Sequence, residues 1–334
     1  MANTGAHTAM VHGGPQGRAR PRIGLALGGG VARGWAHIGA VRALKRHGIE
    51  PDVIAGSSVG ALVGGLSLAG RLDTLEEWAR GLTRFKIVGY LDLRLRSGGG
   101  LIGGDRLVAE MRRHLGDLRI EELPIPFVAL ATDLVTGHEV WLNQGGMVDA
   151  LRASFSLPGV FPPVKVDERW LVDGALVNPV PVSVCRALGA DMVIAVNLSA
   201  DLIGKARKPG APVPTAAGFD LLRFLEEVPE PPSAPSAMGA LARRIFHRDY
   251  DGPSLFGVMV SSLSIITDRI TRSRLAGEPP DVHIAPRIGH IGLLEFDRAD
   301  EAIALGEEAV ERVLPELQDA FTVFANGAHA PREG

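Results

Sequence analysis

Two stretches near the start of the chain share one pattern: a short apolar run, a turn of small residues, then apolar residues at helical spacing. Ile23 to Leu27 runs into Gly28, Gly29 and Gly30 and then into "WAHIGAVRALKRHG", which stops at Gly48. "DVIAG" runs in the same way into "SSVGALVGGLSLAG", whose small residues allow a helix to press closely onto a sheet. An apolar run without polar alternation is buried on both faces, as a strand is inside a parallel sheet covered by helices. Further strands are expected at "PFVALATDL", "HEVWL", "RWLVDG", "MVIAVNLS" and "VHIAP", with a late helix from Asp297 to Phe321. The fold class is therefore α/β, a mostly parallel central sheet with helices on both faces.

A chain of 334 residues is long enough for one large α/β domain. Residues 1–21, rich in Gly, Pro and Arg and without an apolar signal-peptide centre, read as an N-terminal tail. A single domain is expected over 22–321, followed by a C-terminal tail over 322–334. Prolines interrupt every long element from about Asp201 to Gly252, so this stretch reads as an insertion or lid. Within it "FDLLRFLEEV" would form a short amphipathic helix whose Leu221, Leu222, Phe224 and Leu225 could touch a membrane or cover a site.

The formal net charge of -3 offers no basic excess for phosphate neutralisation and argues against nucleic acid as a partner. Cys185 is the only cysteine, which excludes an intramolecular disulfide and a thiolate metal cluster and fits a reducing, cytoplasmic compartment. "SLFGVMVSSLSIITDRI" is too short and too serine-rich for a membrane span and reads as a packed helix.

Gly56, Ser58 and Gly60 form G-x-S-x-G between an apolar strand and a helix, the setting that a nucleophile elbow requires. The alternative for Ser58 is a helix cap in an ordinary tight turn. Gly28 to Gly30 also lie between a strand and a helix, where N–H groups can converge on an anion. A phosphate loop would end in Gly-Lys-Ser/Thr, whereas the chain reads Val31-Ala32-Arg33-Gly34. A dinucleotide fingerprint meets Arg33 where Gly or Ala belongs, and no acidic residue follows the second strand. An oxyanion hole for acyl transfer needs a nucleophile nearby, and Ser58 at another strand end meets that need. Asp173, in "WLVDGALVNPVPV", ends an apolar strand and is the candidate base; Asp-Gly is also a common turn dipeptide. His37 reads as a packed or capping residue. His283 and His290 stand near strand ends without metal-ligand spacing.

These pieces together resemble the patatin-like phospholipases, most closely the bacterial members related to neuropathy target esterase. "LGGGVARGWAHIGAVRAL", "GSSVGA", "ATDLVTG", "ALRASFSLPGVFPPV" and "LVDGALVNPVPV" occur in the family's order between Arg22 and Ser199. The resemblance implies a three-layer patatin-like fold and a serine–aspartate dyad without histidine. Ser58 would be the nucleophile and Asp173 the base. Gly28, Gly29, Gly30 and Val31 would form the oxyanion hole, supported by Arg33, Gly34, Gly56, Gly60 and Gly174. Many relatives carry glycine at the position of Val31, and a positive φ there would be costly for valine.

The implied activity is hydrolysis of lipid carboxylic esters. It needs no cofactor and no metal, takes a lipid or phospholipid substrate, and is compatible with peripheral contact at the inner membrane face. Two alternatives remain at this level. One is a Ser–Asp–His triad using His283 or His290; the other is a nucleotide-binding regulator using the glycine loop. The aspartate of a dyad should lie in a poorly solvated site that raises its basicity.

Overall fold

A computed structural model describes residues 20–83, 86–87, 104–201 and 255–327. The insertion expected over 201–252 and its "FDLLRFLEEV" helix lie almost wholly outside the described residues, as do 1–19 and 328–334. Arg20 and Pro21, assigned above to the tail, already belong to the body. Pro21 is buried, and the Arg20 guanidinium pairs with Asp52 at 2.7 Å.

The strands are β1 (Ile23–Leu27), β2 (Val53–Ser57), β3 (Phe127–Asp133), β4 (Glu139–Leu142), β5 (Val164–Val166), β6 (Arg169–Asp173), β7 (Met192–Val196) and β8 (Val282–Ile284). The helices are α1 (Ala36–Arg46), α2 (Val59–Leu68), α3 (Leu72–Arg80), α4 (Asp105–Leu115), α5 (Met147–Ser154), α6 (Val182–Ala187), α7 (Leu255–Gly277) and α8 (Ala299–Gly327). Helix α8 thus runs six residues beyond Phe321, into the segment read as a tail. No helix among the described residues is long and apolar enough to cross a membrane.

The sheet order is β5-β6-β3-β2-β1-β7-β8, with β4 also paired to β3. Pairings are parallel from β3 through β2, β1 and β7 to β8. Beyond β3 the sheet turns antiparallel, through β4, β6 and β5. Every residue of β1, β2, β3 and β7 is buried, as their unbroken apolar runs require.

The two faces differ in bulk. Leu25, Leu27, Ile54, Phe127 and Ile194 point to the thicker layer, with α1, α2, α5 and α8. Ala26, Ala55, Val128, Val193 and Ala195 point to a thinner one beside α6. Small residues are needed there because α6 lies close: a Cβ on Gly24 would stand 2.7 Å from Cys185 Cβ. On the thicker face α1 and α8 touch through their backbones. A side chain on Gly39 would strike the Ile303 carbonyl, and one on Gly306 the Ala36 carbonyl.

Asp173 does end its strand, but β6 runs antiparallel to β3, so it is not at the carboxyl end of a parallel array. The register explains how it still reaches the site. Leu130 of β3 pairs with Ser57 and with Trp141; Ala131 pairs with Val140 and with Asp173. A strand has two edges, so β2 and β6 share one edge of β3 and meet end to end along it. Their last residues face each other across one step of register.

Candidate active site

Ser58 sits between β2 and α2 with φ 56° and ψ −127°, a conformation costly for a residue with a Cβ. The sharp turn needs small neighbours. A Cβ on Gly56 would meet the Ala61 backbone, and one on Gly60 the Leu27 carbonyl. The strained peptide is held from α5, where the buried Ser154 Oγ accepts the Ser58 N–H at 3.0 Å. Ser58 itself is 5% exposed, and its Oγ donates to Asp173 Oδ2 at 2.6 Å. Ser57, one place off the motif, is fully buried, and its Oγ has no partner among the described residues.

The Asp173 carboxylate is fixed from several sides. Its Oδ1 accepts the Ala175 N–H at 2.8 Å, its backbone N–H reaches Ser156 O at 2.9 Å, and Thr132 Oγ1 donates to its carbonyl at 2.8 Å. Gly174 is required because a Cβ there would press into the Leu130 backbone. Burial raises the Asp173 carboxyl to about 6, against the opposing pull of the Ser58 and Ala175 hydrogen bonds. This is the basicity expected of a poorly solvated dyad aspartate.

The glycine loop is narrower in its possibilities than the sequence suggested. Gly28 N–H bonds Val196 O and Gly29 N–H bonds Pro179 O, both at 3.0 Å. These two amides are already committed, which removes them from the set of four expected donors. The Gly30 and Val31 amides have no protein acceptor among the described residues. Val31 takes φ 52°, the positive value that favours glycine. The loop packs against the serine: a Cβ on Gly29 would lie 3.5 Å from Ser58 Cβ. Gly34 is equally constrained, facing the Val59 side chain.

His37 holds this loop from beneath. It is fully buried, and its Nε2 donates to the Gly28 carbonyl at 2.7 Å; burial lowers its pKa to about 4, so the ring is neutral. Trp35 anchors the far end by edge contacts with Trp78 and Phe296, at ring-centroid separations of 5.8 and 6.1 Å. Arg33 is 5% exposed and donates from Nε to Ile291 O at 2.6 Å.

Ser58, Asp173, Gly29 to Val31 and Arg33 line one cavity of about 60 Å³. Its roof is α7, which contributes Val260, Leu263, Ser264 and Thr267.

Comparison with known proteins fits this geometry. The model of the patatin-like phospholipase family matches residues 25–186, which contain the loop, the elbow and Asp173. An uncharacterized NTE family protein of Mycobacterium tuberculosis is 36% identical over 90% of this chain and 93% of its own length. The chain belongs to the NTE family of patatin-like phospholipases. Neuropathy target esterase sws of Drosophila melanogaster is 36% identical over 53% of this chain and 13% of its own. Patatin-like phospholipase domain-containing protein 7 of Mus musculus is 34% identical over the same shares.

The histidines needed for a triad are elsewhere. His283 stands on β8, two strands beyond β1, and His290 Nε2 pairs with Glu301 at 2.7 Å. Neither is among the partners of Asp173, which are Ser58 and Ala175. Cys185, the other nucleophilic type, is buried and pushed up to about 12, which keeps it a thiol. Among the described residues no three His, Cys, Asp or Glu side chains are grouped to hold a metal.

Residue-level reading of the sequence missed Ser154, Ser156 and Thr132 as supports of the pair. The first two lie in "ALRASFSLPGVFPPV", noted above only as a family segment. Their part emerges from packing: nothing in the sequence says which distant N–H the Ser154 hydroxyl or the Ser156 backbone carbonyl will accept.

Proposed function

We propose that the chain is a serine acyl hydrolase acting on lipid carboxylic esters through a Ser58–Asp173 dyad. The observation that carries the reading is the 2.6 Å hydrogen bond from Ser58 Oγ to Asp173 Oδ2 on a strained strand-to-helix turn. Membership in the patatin-like phospholipases supports it.

In the forward step Asp173 accepts the Ser58 proton while Oγ attacks the ester carbonyl carbon. The carbonyl oxygen becomes an oxyanion, which the Gly30 and Val31 N–H groups are free to bind. Collapse expels the alcohol, protonated from Asp173, and leaves an acyl-serine. Water then attacks with Asp173 as base, and the carboxylic acid departs as Ser58 recovers its proton. A carboxyl near 6 suits both duties, being ionised at neutral pH and basic enough to take a proton in the transition state.

The test is active-site labelling with a fluorophosphonate, together with turnover of a p-nitrophenyl ester. The native chain should be labelled at Ser58 and turn over; Ser58→Ala and Asp173→Asn should each lose at least ~10³-fold in kcat. Full activity in a folded Asp173→Asn protein would overturn the dyad.

A further inference from the structure

One peptide of the glycine loop is pinned at both ends. The Gly28 carbonyl accepts the His37 Nε2–H at 2.7 Å, and the N–H of the same peptide, that of Gly29, reaches Pro179 O at 3.0 Å. A carbonyl can only accept, so the neutral imidazole carries its proton on Nε2. Nδ1 is then a bare acceptor, and it is buried with no partner among the described residues. Such an orphaned nitrogen is unfavourable, and an apolar side chain of similar size would avoid it. What the imidazole has over that side chain is the bond made by Nε2.

The platform beneath the bond is stiff. His37 is the second residue of α1, and α1 meets α8 backbone to backbone at Gly39 and Gly306. From there the ring reaches back nine residues to Gly28. The pinned peptide is followed by Gly29 and Gly30, which have no Cβ to restrict their rotation. The next two N–H groups, of Gly30 and Val31, are those without a protein acceptor among the described residues. Their direction depends on the plane of the Gly28–Gly29 peptide, because a rotation there swings both of them.

We propose that His37 is a positioning residue for ester hydrolysis: its bond to the Gly28 carbonyl aims the Gly30 and Val31 N–H groups at the oxyanion. This rests on the hydrolase reading above. His37 is not among the residues lining the cavity, so it acts through the loop and not on the ester. Its effect belongs to the transition state, because the charge those N–H groups meet exists only there. Loss of one well-aimed donor to an oxyanion costs about 10²–10³-fold in kcat.

The experiment follows kcat and KM for p-nitrophenyl butyrate in His37 variants, with two inhibitors of matched chain length. A trifluoromethyl ketone forms an adduct with serine that carries an oxyanion; the corresponding methyl ketone binds as a neutral carbonyl. His37→Leu should lose about 10²-fold in kcat with little change in KM, and should bind the trifluoromethyl ketone about 10²-fold more weakly. Its affinity for the methyl ketone should stay as in the native chain. His37→Gln, whose amide nitrogen can stand where Nε2 stands, should recover kcat to within about 10-fold of native. An unchanged kcat in folded His37→Leu overturns the proposal. So does an equal loss of affinity for both ketones, or a His37→Gln as slow as His37→Leu, since His37 would then only fill space.

His37→Asn, polar but too short to reach Gly28, supplies the same comparison where His37→Leu does not fold. Nitrogen-15 spectra of the histidine-labelled native chain add a test that needs no variant. His37 should stay neutral from pH 5 to 8 with its proton on Nε2. A proton on Nδ1, or a ring that charges in that range, overturns the assignment. If the native chain hydrolyses no ester and Ser58 takes no fluorophosphonate, the hydrolase reading falls and this one with it. Native turnover beside an unimpaired His37→Leu sinks this one alone.

Discussion

Ser58 and Val31 both take positive φ, at 56° and 52°, and both face the cavity, so part of the chain's backbone strain lies where the chemistry is proposed. The two are held for different reasons. Ser58 needs its angle to present Oγ, whereas Val31 occupies a place that suits glycine and is β-branched besides. Val31→Gly should relieve ~1–3 kcal/mol of strain and lose ~0.5–1 kcal/mol to backbone entropy. The expected net is a stability gain of about 1 kcal/mol, read by urea denaturation; a loss would show that the valine side chain is needed for packing. Asp173 gives a second residue-scale prediction. With its carboxyl at about 6 and the ionised form required as base, kcat/KM should rise with pH through about 6 and then level off. His37 is already neutral above about 4, so it adds no second step in that range. A rate independent of pH between 5 and 8 would contradict a base raised by burial.

At the scale of elements, α7 roofs the cavity that holds Ser58 and Asp173. Trimming the roof with Leu263→Ala should raise kcat/KM for decanoate and longer esters by several-fold relative to acetate. A p-nitrophenyl ester series measures this, and an unchanged chain-length profile would place the entrance elsewhere. The elements themselves show what the sequence could convey. β1, β2, β3 and β7 were legible because unbroken apolar runs between glycine turns have few other uses. β5 was not, because its hairpin to β6 turns at Asp167 and Glu168, both at positive φ without any glycine to announce it. The direction of β6 was equally hidden, since a five-residue strand reads the same parallel or antiparallel. Ser58 and Asp173 were found as residue types at strand ends; their meeting along β3 is a fact of register. The loop glycines were visible too, but which N–H groups remain free depends on Val196 and Pro179, far away in sequence.

For the molecule as a whole, the buried Asp173 sets function against stability. Its carboxyl ionises near 6 in the folded chain and near the ordinary 3.8 when unfolded. Between these values the folded state binds more protons, so stability falls as pH rises through that window. The penalty is complete above about 6 and absent below about 4. At ~1.4 kcal/mol per pKa unit, the rise to about 6 corresponds to as much as ~3 kcal/mol at pH 8. Asp173→Asn removes the charge while its Oδ1 can still accept the Ala175 N–H. The variant should therefore be inactive yet more stable than the native chain by ~1–3 kcal/mol at pH 8, with the difference closing by pH 4. Urea titrations of both proteins at the two pH values measure it. A variant no more stable at pH 8 than at pH 4, relative to the native chain, would mean that the site accommodates the carboxylate without cost. The basicity required of the dyad would then have to come from somewhere other than burial.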